Sequence, residues 1–197
     1  MQQIIKRARI IGTGSYVPDI VYSNEYLESF LETSSVWIYQ TLGIKERRIA
    51  RQDEATSDLA AKAGIRAIND AALGVDDIDL IIVATATPDR LAPSTATIVQ
   101  DKLKAYNAVA FDLAAVCSGF LFSMSVAAQY ISSGVYQNVL VIGADTFSKI
   151  TDWERRDAVF FGDGAGAVVI SNENDNRGFL SFRLYSDGRG KDNFTIP

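Results

Sequence analysis

The sequence contains no histidine, and Cys117 is its only cysteine. A single cysteine cannot form a disulfide within the chain, and it has no second cysteine or histidine with which to share a zinc ion. Histidine is also the usual general base for a catalytic cysteine, so the base that serves Cys117 is not a histidine of this sequence. We therefore expect no zinc centre, no redox pair of cysteines and no metal site.

Long apolar runs and an excess of positive charge are also absent. No stretch approaches the roughly 18 apolar residues of a membrane-spanning helix, and the apolar run after Arg9 reaches Gly12, Gly14 and Pro18 too soon for a signal peptide. The formal net charge of −5 does not supply the basic field that general nucleic-acid binding requires. We expect a cytoplasmic protein that binds neither membranes nor nucleic acid.

The apolar residues that are present predict a layered α/β core. Residues 79–85 and 139–143 are almost continuously apolar, which is typical of strands buried on both faces. Residues 108–113 form a third predicted strand, and helices are predicted over 94–103 and 118–133. This alternation of strands and helices predicts a right-handed parallel βαβαβ core.

Further elements are predicted on both sides of this core. A first strand is predicted over 4–15, and helices are predicted over 24–31, 35–42 and 56–71, with residues 44–50 as a short strand. After the core, residues 165–171 predict a strand, and residues 179–185 predict its hairpin partner across a polar turn. The 197 residues, with 48% apolar content, suffice for one sizeable core.

Cys117 lies where the predicted strand 108–113 is followed by the predicted helix 118–133. The first backbone N–H groups of a helix have no internal partner and carry the positive end of the macrodipole, so an anion is stabilised there. A thiolate is such an anion, and this placement is therefore typical of a nucleophilic cysteine. The alternative is a small buried hydrophobe, since free cysteine is among the most buried residue types.

Two glycine-rich stretches do not fit a nucleotide-binding loop. GTGSYVP from Gly12 is not followed by a helix, and GDGAGA from Gly162 is followed by a strand, so neither offers a helix N-terminus to a phosphate. We expect Asp163 to form hydrogen bonds in a tight turn instead. Trp37 lies in a polar helical segment, where an indole either packs in an ordinary way or supports a flat ligand.

Together these motifs resemble the N-terminal half of β-ketoacyl-[acyl carrier protein] synthase III, a condensing enzyme of the thiolase superfamily. The resemblance is carried, in order, by GTGSYVP at Gly12, T-x-x-x-W from Thr33 to Trp37, GIKERRIA at Gly43, PSTA at Pro93, DLAAVCSGF at Asp112 and FGDGAGA at Phe161. It implies a thiolase-like α/β fold, one half of a layered α/β/α/β/α architecture with a mainly parallel mixed sheet. We expect residues 1–185 to form this half domain and residues 186–197 to begin the connection to a missing C-terminal half.

The resemblance implies an acyltransferase of fatty-acid biosynthesis. Cys117 would take an acyl group from acyl-CoA and pass it to the carbanion formed when malonyl-acyl carrier protein loses carbon dioxide. Trp37 and Arg155 would hold the CoA adenine between them, with Arg156 as the alternative to Arg155, and Thr33 would form a hydrogen bond nearby. Leu91 and Ala92 would line an acyl pocket. CoA is a substrate in this reaction, so no cofactor is implied, and a homodimer paired through the strand before Cys117 is expected.

Three departures from the family pattern limit what this sequence is expected to do. Thr41 stands where a second CoA-binding arginine is expected, and Ala92 stands where many members carry phenylalanine, which implies a roomier or altered acyl pocket. The histidine and asparagine that promote decarboxylation belong to the second half of the family's fold. We therefore expect a chain that is inactive in condensation alone; the alternatives are a non-catalytic half subunit or assembly partner, and a polyketide-priming or other acyl-transfer relative.

Overall fold

The computed structural model describes residues 7–172, 177–193 and 195. The strands are β1 (Arg9–Tyr16), β2 (Ile20–Ser23), β3 (Glu46–Ile49), β4 (Leu80–Ala84), β5 (Val109–Leu113), β6 (Asn138–Thr146) and β7 (Asp163–Ser171). The α-helices are α1 (Asn24–Glu28), α2 (Ser35–Leu42), α3 (Thr56–Asp70), α4 (Thr95–Leu103) and α5 (Gly119–Ser133). The predicted first strand is thus observed from Arg9 onward, while its residues 4–6 lie outside the described part.

The main sheet is five-stranded, in the order β1, β7, β6, β4, β5. Strand β4 pairs in parallel with both β5 and β6, which confirms the predicted βαβαβ core. Strand β7 lies antiparallel to both β6 and β1. Four strands therefore run in one direction and only β7 opposes them, so the sheet is mixed and mainly parallel, as predicted.

The predicted hairpin between residues 165–171 and 179–185 is wrong. Strand β7 already has a neighbour on each side, because β1 pairs with it from Arg9 opposite Ser171 to Tyr16 opposite Ala165. The described structure has no strand over 179–185; instead, the Phe179 N–H donates to the Ala8 carbonyl at 2.9 Å. Strand β1 therefore occupies the position beside β7 that we predicted for residues 179–185, which follow β7 closely in the sequence.

Two helical layers cover the sheet. Helix α3, with α4, packs against one face of the central strands, and α5 packs against the other face. Successive side chains of a strand point to opposite faces, so all five residues of β4 are buried. This explains why the continuous apolar run predicts the strand correctly.

The GTGSYVP stretch is a packing motif. A Cβ atom at Gly12 or Gly14 would overlap the backbone of α3, at Ala67 and Ala63 respectively. Only glycine permits so close an approach of a helix to a strand. This close packing of α3 on β1 gives these glycines a structural role that involves no phosphate.

A smaller unit stands beside the main sheet. Strands β2 and β3 form an antiparallel pair, and α1 and α2 pack beside them around a separate apolar cluster that includes Leu27, Ile38 and Val159. Helix α2 matches its predicted bounds: the Ser34 hydroxyl caps it by accepting from the Trp37 N–H, and Gly43 ends it in the left-handed conformation. This unit positions Trp37.

Within the described part of the chain, no helix has the length and apolar character needed to cross a membrane.

Glu54 joins α3 to β1 through a buried carboxylate. Its side chain, only 3% exposed, accepts from Lys62 Nζ at 2.8 Å, from the Tyr16 hydroxyl at 3.0 Å and from the Arg51 N–H at 3.2 Å. Burial alone would raise the pKa of Glu54, but these hydrogen bonds outweigh burial and lower the pKa to about 2. Glu54 therefore stabilises the fold above its unfolded pKa of 4.5, and this contribution is lost as the pH falls towards 2.

We expect Glu54→Gln to lower the free energy of unfolding at neutral pH by about 1–3 kcal/mol, a range reduced for the solvent exposure of Lys62. The substitution should also flatten the acid limb of stability between the unfolded and folded pKa values. Urea unfolding of both proteins at neutral and at acidic pH measures this. Glu46→Gln, at an exposed site, is the control. An equal loss at both pH values would contradict the assignment.

Candidate active site

Cys117 lies at the junction that the sequence predicts. Strand β5 ends at Leu113, a 3₁₀ turn spans Val116–Ser118, and α5 begins at Gly119. The thiol is exposed, which rules out the alternative of a buried hydrophobe. Ligands of α/β sheets bind outside the carboxyl ends of the parallel strands, and Cys117 lies at that end of β5.

Tight packing fixes the start of α5 on the sheet. A Cβ atom built at Gly119 would lie 3.0 Å from the Ala84 Cβ and 3.7 Å from the Leu113 carbonyl oxygen. Gly119 therefore lets the helix start directly against the ends of β4 and β5. The backbone of this turn is strained, because Val116 has a φ of 46°, a left-handed conformation that a β-branched residue rarely adopts.

Asp112 locks this turn to a neighbouring helix. Its carboxylate accepts from the Thr95 N–H and from the Ala96 N–H, both at 2.7 Å, at the N-terminus of α4. An acidic group at that position satisfies two unpaired N–H groups and is favoured by the helix dipole. Asp112 of the DLAAVCSGF motif therefore contacts Thr95 and Ala96 of the PSTA motif. Ser94 of the PSTA motif also caps α4.

Asp145 is a partly buried carboxylate near the carboxyl end of β6 that the sequence reasoning did not single out. It follows the apolar run of β6, and its Oδ1 accepts from the Ala86 N–H at 2.8 Å and from the Thr85 and Thr87 hydroxyls, both at 3.1 Å. Two residues earlier, Gly143 faces Phe120 of α5, so Asp145 lies on the α5 face of the sheet. Burial raises the pKa of Asp145, although its hydrogen bonds oppose this. The sequence signal for this carboxylate is an acidic residue just before the end of an otherwise mainly apolar strand.

A second site lies around Trp37. A shallow pocket of about 380 Å³ is lined by Trp37, Arg155, Arg156, Asp157 and Phe160. The Arg156 guanidinium stands over the Trp37 ring, 4.1 Å from its centroid, whereas Arg155 is paired with Asp157 through bonds of 3.2 and 2.9 Å. Of the two arginines offered by the sequence, Arg156 therefore lies over Trp37, while the role of either toward CoA stays a prediction.

For Thr33, Leu91 and Ala92, the structure shows a position and an exposure but no contact that assigns a role. The Thr33 Oγ1 is buried, with no hydrogen-bond partner within the described residues, just before α2. Leu91 and Ala92 lie in the loop between β4 and α4, and Leu91 is fully exposed. Their role stays a prediction.

Asp163 of the FGDGAGA motif forms the hydrogen bonds predicted for it, although it begins strand β7 and does not lie in a tight turn. Its carboxylate accepts from the Ala50 N–H at 2.6 Å, from the Ser148 N–H at 2.8 Å and from the Ser148 hydroxyl at 2.5 Å. The motif therefore ties three segments together.

In the part of the chain that the structure covers, no cluster of acidic, histidine or cysteine side chains could hold a metal ion.

Known proteins are similar to this chain in both sequence and structure. A family model described as 3-oxoacyl-[acyl-carrier-protein] synthase III matches residues 111–188. A β-ketoacyl-[acyl-carrier-protein] synthase III of Clostridioides difficile is 53% identical over 192 residues, which are 97% of this chain and 58% of the relative. The crystal structure of 3-oxoacyl-[acyl-carrier-protein] synthase III from Aquifex aeolicus superposes with a TM-score of 0.90 at 46% identity, covering 92% of this chain and 59% of that one.

A priming β-ketosynthase of a polyketide biosynthetic pathway is also similar, with a TM-score of 0.83 at 34% identity over 89% of this chain and 53% of that one. The fold is therefore that of the thiolase-like condensing enzymes. Within that class, the chain is similar to proteins named β-ketoacyl-ACP synthase III, in agreement with the resemblance that its motifs carry. It spans somewhat more than half the length of these relatives.

The strain at Val116 predicts an unusual response to substitution. Val116→Gly removes an exposed side chain and relieves the left-handed backbone, so we expect it to raise the free energy of unfolding by up to about 1 kcal/mol. Val135→Gly, at a similarly exposed valine without a left-handed φ, should lower it by about 0.5–1 kcal/mol. Denaturant unfolding of the two variants compares them. A loss at Val116 as large as the loss at Val135 would show that the turn is unstrained.

Proposed function

We propose that Cys117 accepts an acyl group from acyl-CoA, as the first step of a β-ketoacyl-ACP synthase III reaction. The observation that carries the proposal is an exposed thiol at the start of α5, against the carboxyl ends of β4 and β5. It is supported by the 53% identity to relatives named for this activity. A shallow pocket lined by Trp37, Arg155 and Arg156 on the same chain offers an aromatic ring and two cations to the nucleotide of CoA.

In the acylation step the Cys117 thiolate attacks the thioester carbonyl carbon. A new carbon–sulfur bond forms, the bond to the CoA sulfur breaks, and the released CoA thiolate takes up a proton. The oxyanion of the tetrahedral intermediate needs hydrogen-bond donors. The backbone N–H of Cys117 suits this role, since it has no acceptor within the described part of the chain.

The stacked pair of Trp37 and Arg156 would hold the adenine ring of CoA. At a centroid distance of 4.1 Å there is no room for a third flat group, so Arg156 must move outward when a ring enters. Aromatic faces and a guanidinium both favour stacking on a flat π system. No ion pair of Arg156 is found among the described residues, so its movement breaks the contact with Trp37 without breaking an ion pair.

The later steps require a decarboxylating histidine by resemblance, and this sequence contains no histidine. We propose that the acyl group held on Cys117 condenses with the carbanion of decarboxylated malonyl-ACP in cytoplasmic fatty-acid biosynthesis, with the decarboxylating histidine and asparagine supplied by a C-terminal half. Residues 1–185 would form the first half and 186–197 the connection. A homodimer would pair through β5, which ends the described sheet and leaves Val109 half-exposed.

A polyketide-priming activity is the second candidate, because the priming β-ketosynthase shares 34% identity and the same fold. The higher identity to the synthase III relatives favours the fatty-acid assignment. A non-catalytic half subunit is disfavoured by the exposed, tightly positioned Cys117. If Ala92 widens the acyl pocket, acyl-CoA substrates longer than acetyl-CoA should react at comparable rates.

Acylation can be tested directly on the purified chain. Incubation with acetyl-CoA or a longer acyl-CoA should add one acyl group, visible in the intact mass and located by peptide mapping at Cys117. Cys117→Ala should abolish the adduct. The same chain with malonyl-ACP should form no β-ketoacyl product alone. Failure of every acyl-CoA to label a folded chain would refute the proposed function.

The stacking assignment makes a separate prediction about CoA affinity. Trp37→Ala and Arg156→Ala should each weaken CoA binding by about tenfold, because each removes one face of the ring site. Arg155→Ala is the matched control and should change the affinity by less than about twofold, since Arg155 is occupied by Asp157. Calorimetric titration with CoA measures all three. A larger effect at Arg155 than at Arg156 would restore the original prediction.

A further inference from the structure

Arg47 is a buried cation that the proposed reaction does not use. It lies in β3, within the GIKERRIA motif, and is only 5% exposed. Its Nη1 donates to the Tyr22 carbonyl at 3.1 Å, and its Nη2 donates to the Asn24 Oδ1 at 3.0 Å and to the Val159 carbonyl at 3.2 Å. The guanidinium is therefore held by neutral acceptors.

A buried arginine without a carboxylate partner requires an explanation. Within the described residues, Arg47 forms no ion pair, and its Nε has no hydrogen-bond partner. Removing a charge from water is costly unless its hydrogen bonds compensate, so an apolar residue would be the simpler choice for stability alone. The place of the guanidinium therefore points to a geometric role.

The acceptors of Arg47 lie in segments next to the Trp37 pocket, not in its lining. Val159 lies in the 3₁₀ turn Arg156–Phe160, which carries the stacking arginine. Asn24 begins α1, and its amide also donates to the Ile44 carbonyl at 2.8 Å, just beyond α2. Trp37 and Val159 share one apolar cluster. One guanidinium thus connects the turn that carries Arg156 to the helices that hold Trp37.

We propose that Arg47 is a positioning residue that sets the spacing between Trp37 and Arg156 and thereby the affinity for the nucleotide of CoA. The inference rests on the proposed function, since it takes the pocket to be a CoA site. The planar fork of a guanidinium reaches acceptors in three directions, whereas the single ammonium of lysine cannot span them. Close packing leaves little slack, because a Cβ at Gly162 would lie 2.9 Å from the Arg47 Cβ.

The test uses Arg47→Lys in the 197-residue chain, which keeps the charge and loses the fork. The matched control is Arg48→Lys at the next position, which bonds to Glu46 and to the Pro18 carbonyl and belongs to neither site. CoA affinity is measured by calorimetric titration, and the rate of Cys117 alkylation by iodoacetamide reports on the thiol site. We expect Arg47→Lys to weaken CoA binding by about fivefold or more and to leave the alkylation rate within about twofold. Arg48→Lys should change neither.

Each other result is decisive. Unchanged CoA affinity in Arg47→Lys would overturn the positioning role, and so would an equal loss of affinity and alkylation rate, which indicates general loosening. If Arg47→Lys fails to fold, Asn24→Ala removes one acceptor of the fork and must give the same selective loss of affinity. If the unchanged chain does not bind CoA at all, the proposed function fails, which is a different outcome from failure of the Arg47 role.

Discussion

The Asp163 carboxylate is the contact on which the arrangement of the pocket depends. It binds backbone N–H groups of Ala50, after β3, and of Ser148, after β6, while lying at the start of β7. A buried carboxylate is stable when N–H and O–H donors satisfy it, and a neutral side chain of similar size would leave those donors unpaired. The small unit that holds Trp37 and the segment that leads to Arg156 are therefore attached to the main sheet at one point.

Asp112 fixes the segment that leads to Cys117, as Asp163 fixes the segments that lead to the Trp37 pocket. By binding two N–H groups at the start of α4, it fixes the end of β5, from which the chain turns through the strained Val116 to Cys117. Gly119 then allows α5 to begin directly against β4 and β5. The position of Cys117 thus follows from a carboxylate, a glycine and the register of parallel strands.

Much of this fold could be predicted because its strongest signals are local. The apolar run of β4, the cap and left-handed glycine of α2 and the position of Cys117 are all fixed within a few residues. The partner of β7 could not be predicted in this way, because β1 lies more than a hundred residues earlier in the chain. Which of Arg155 and Arg156 faces Trp37 could not be predicted for a related reason, because it depends on how their segment packs beside α2: Arg156 lies over the ring, whereas Arg155 pairs with Asp157.

The two candidate sites have separate supports, and this has a chemical consequence. Cys117 depends on Asp112 and on contacts among β4, β5 and α5, whereas the Trp37 pocket depends on Asp163, on Arg47 and on the small β2–β3 unit. Substitutions at sites with no shared partners usually have additive effects on stability. If the pocket binds the nucleotide of CoA as proposed, binding of the acyl donor can therefore vary without altering the thiol. Under the same proposal, Thr41, which stands at a CoA-binding position by resemblance, need not change the geometry around Cys117.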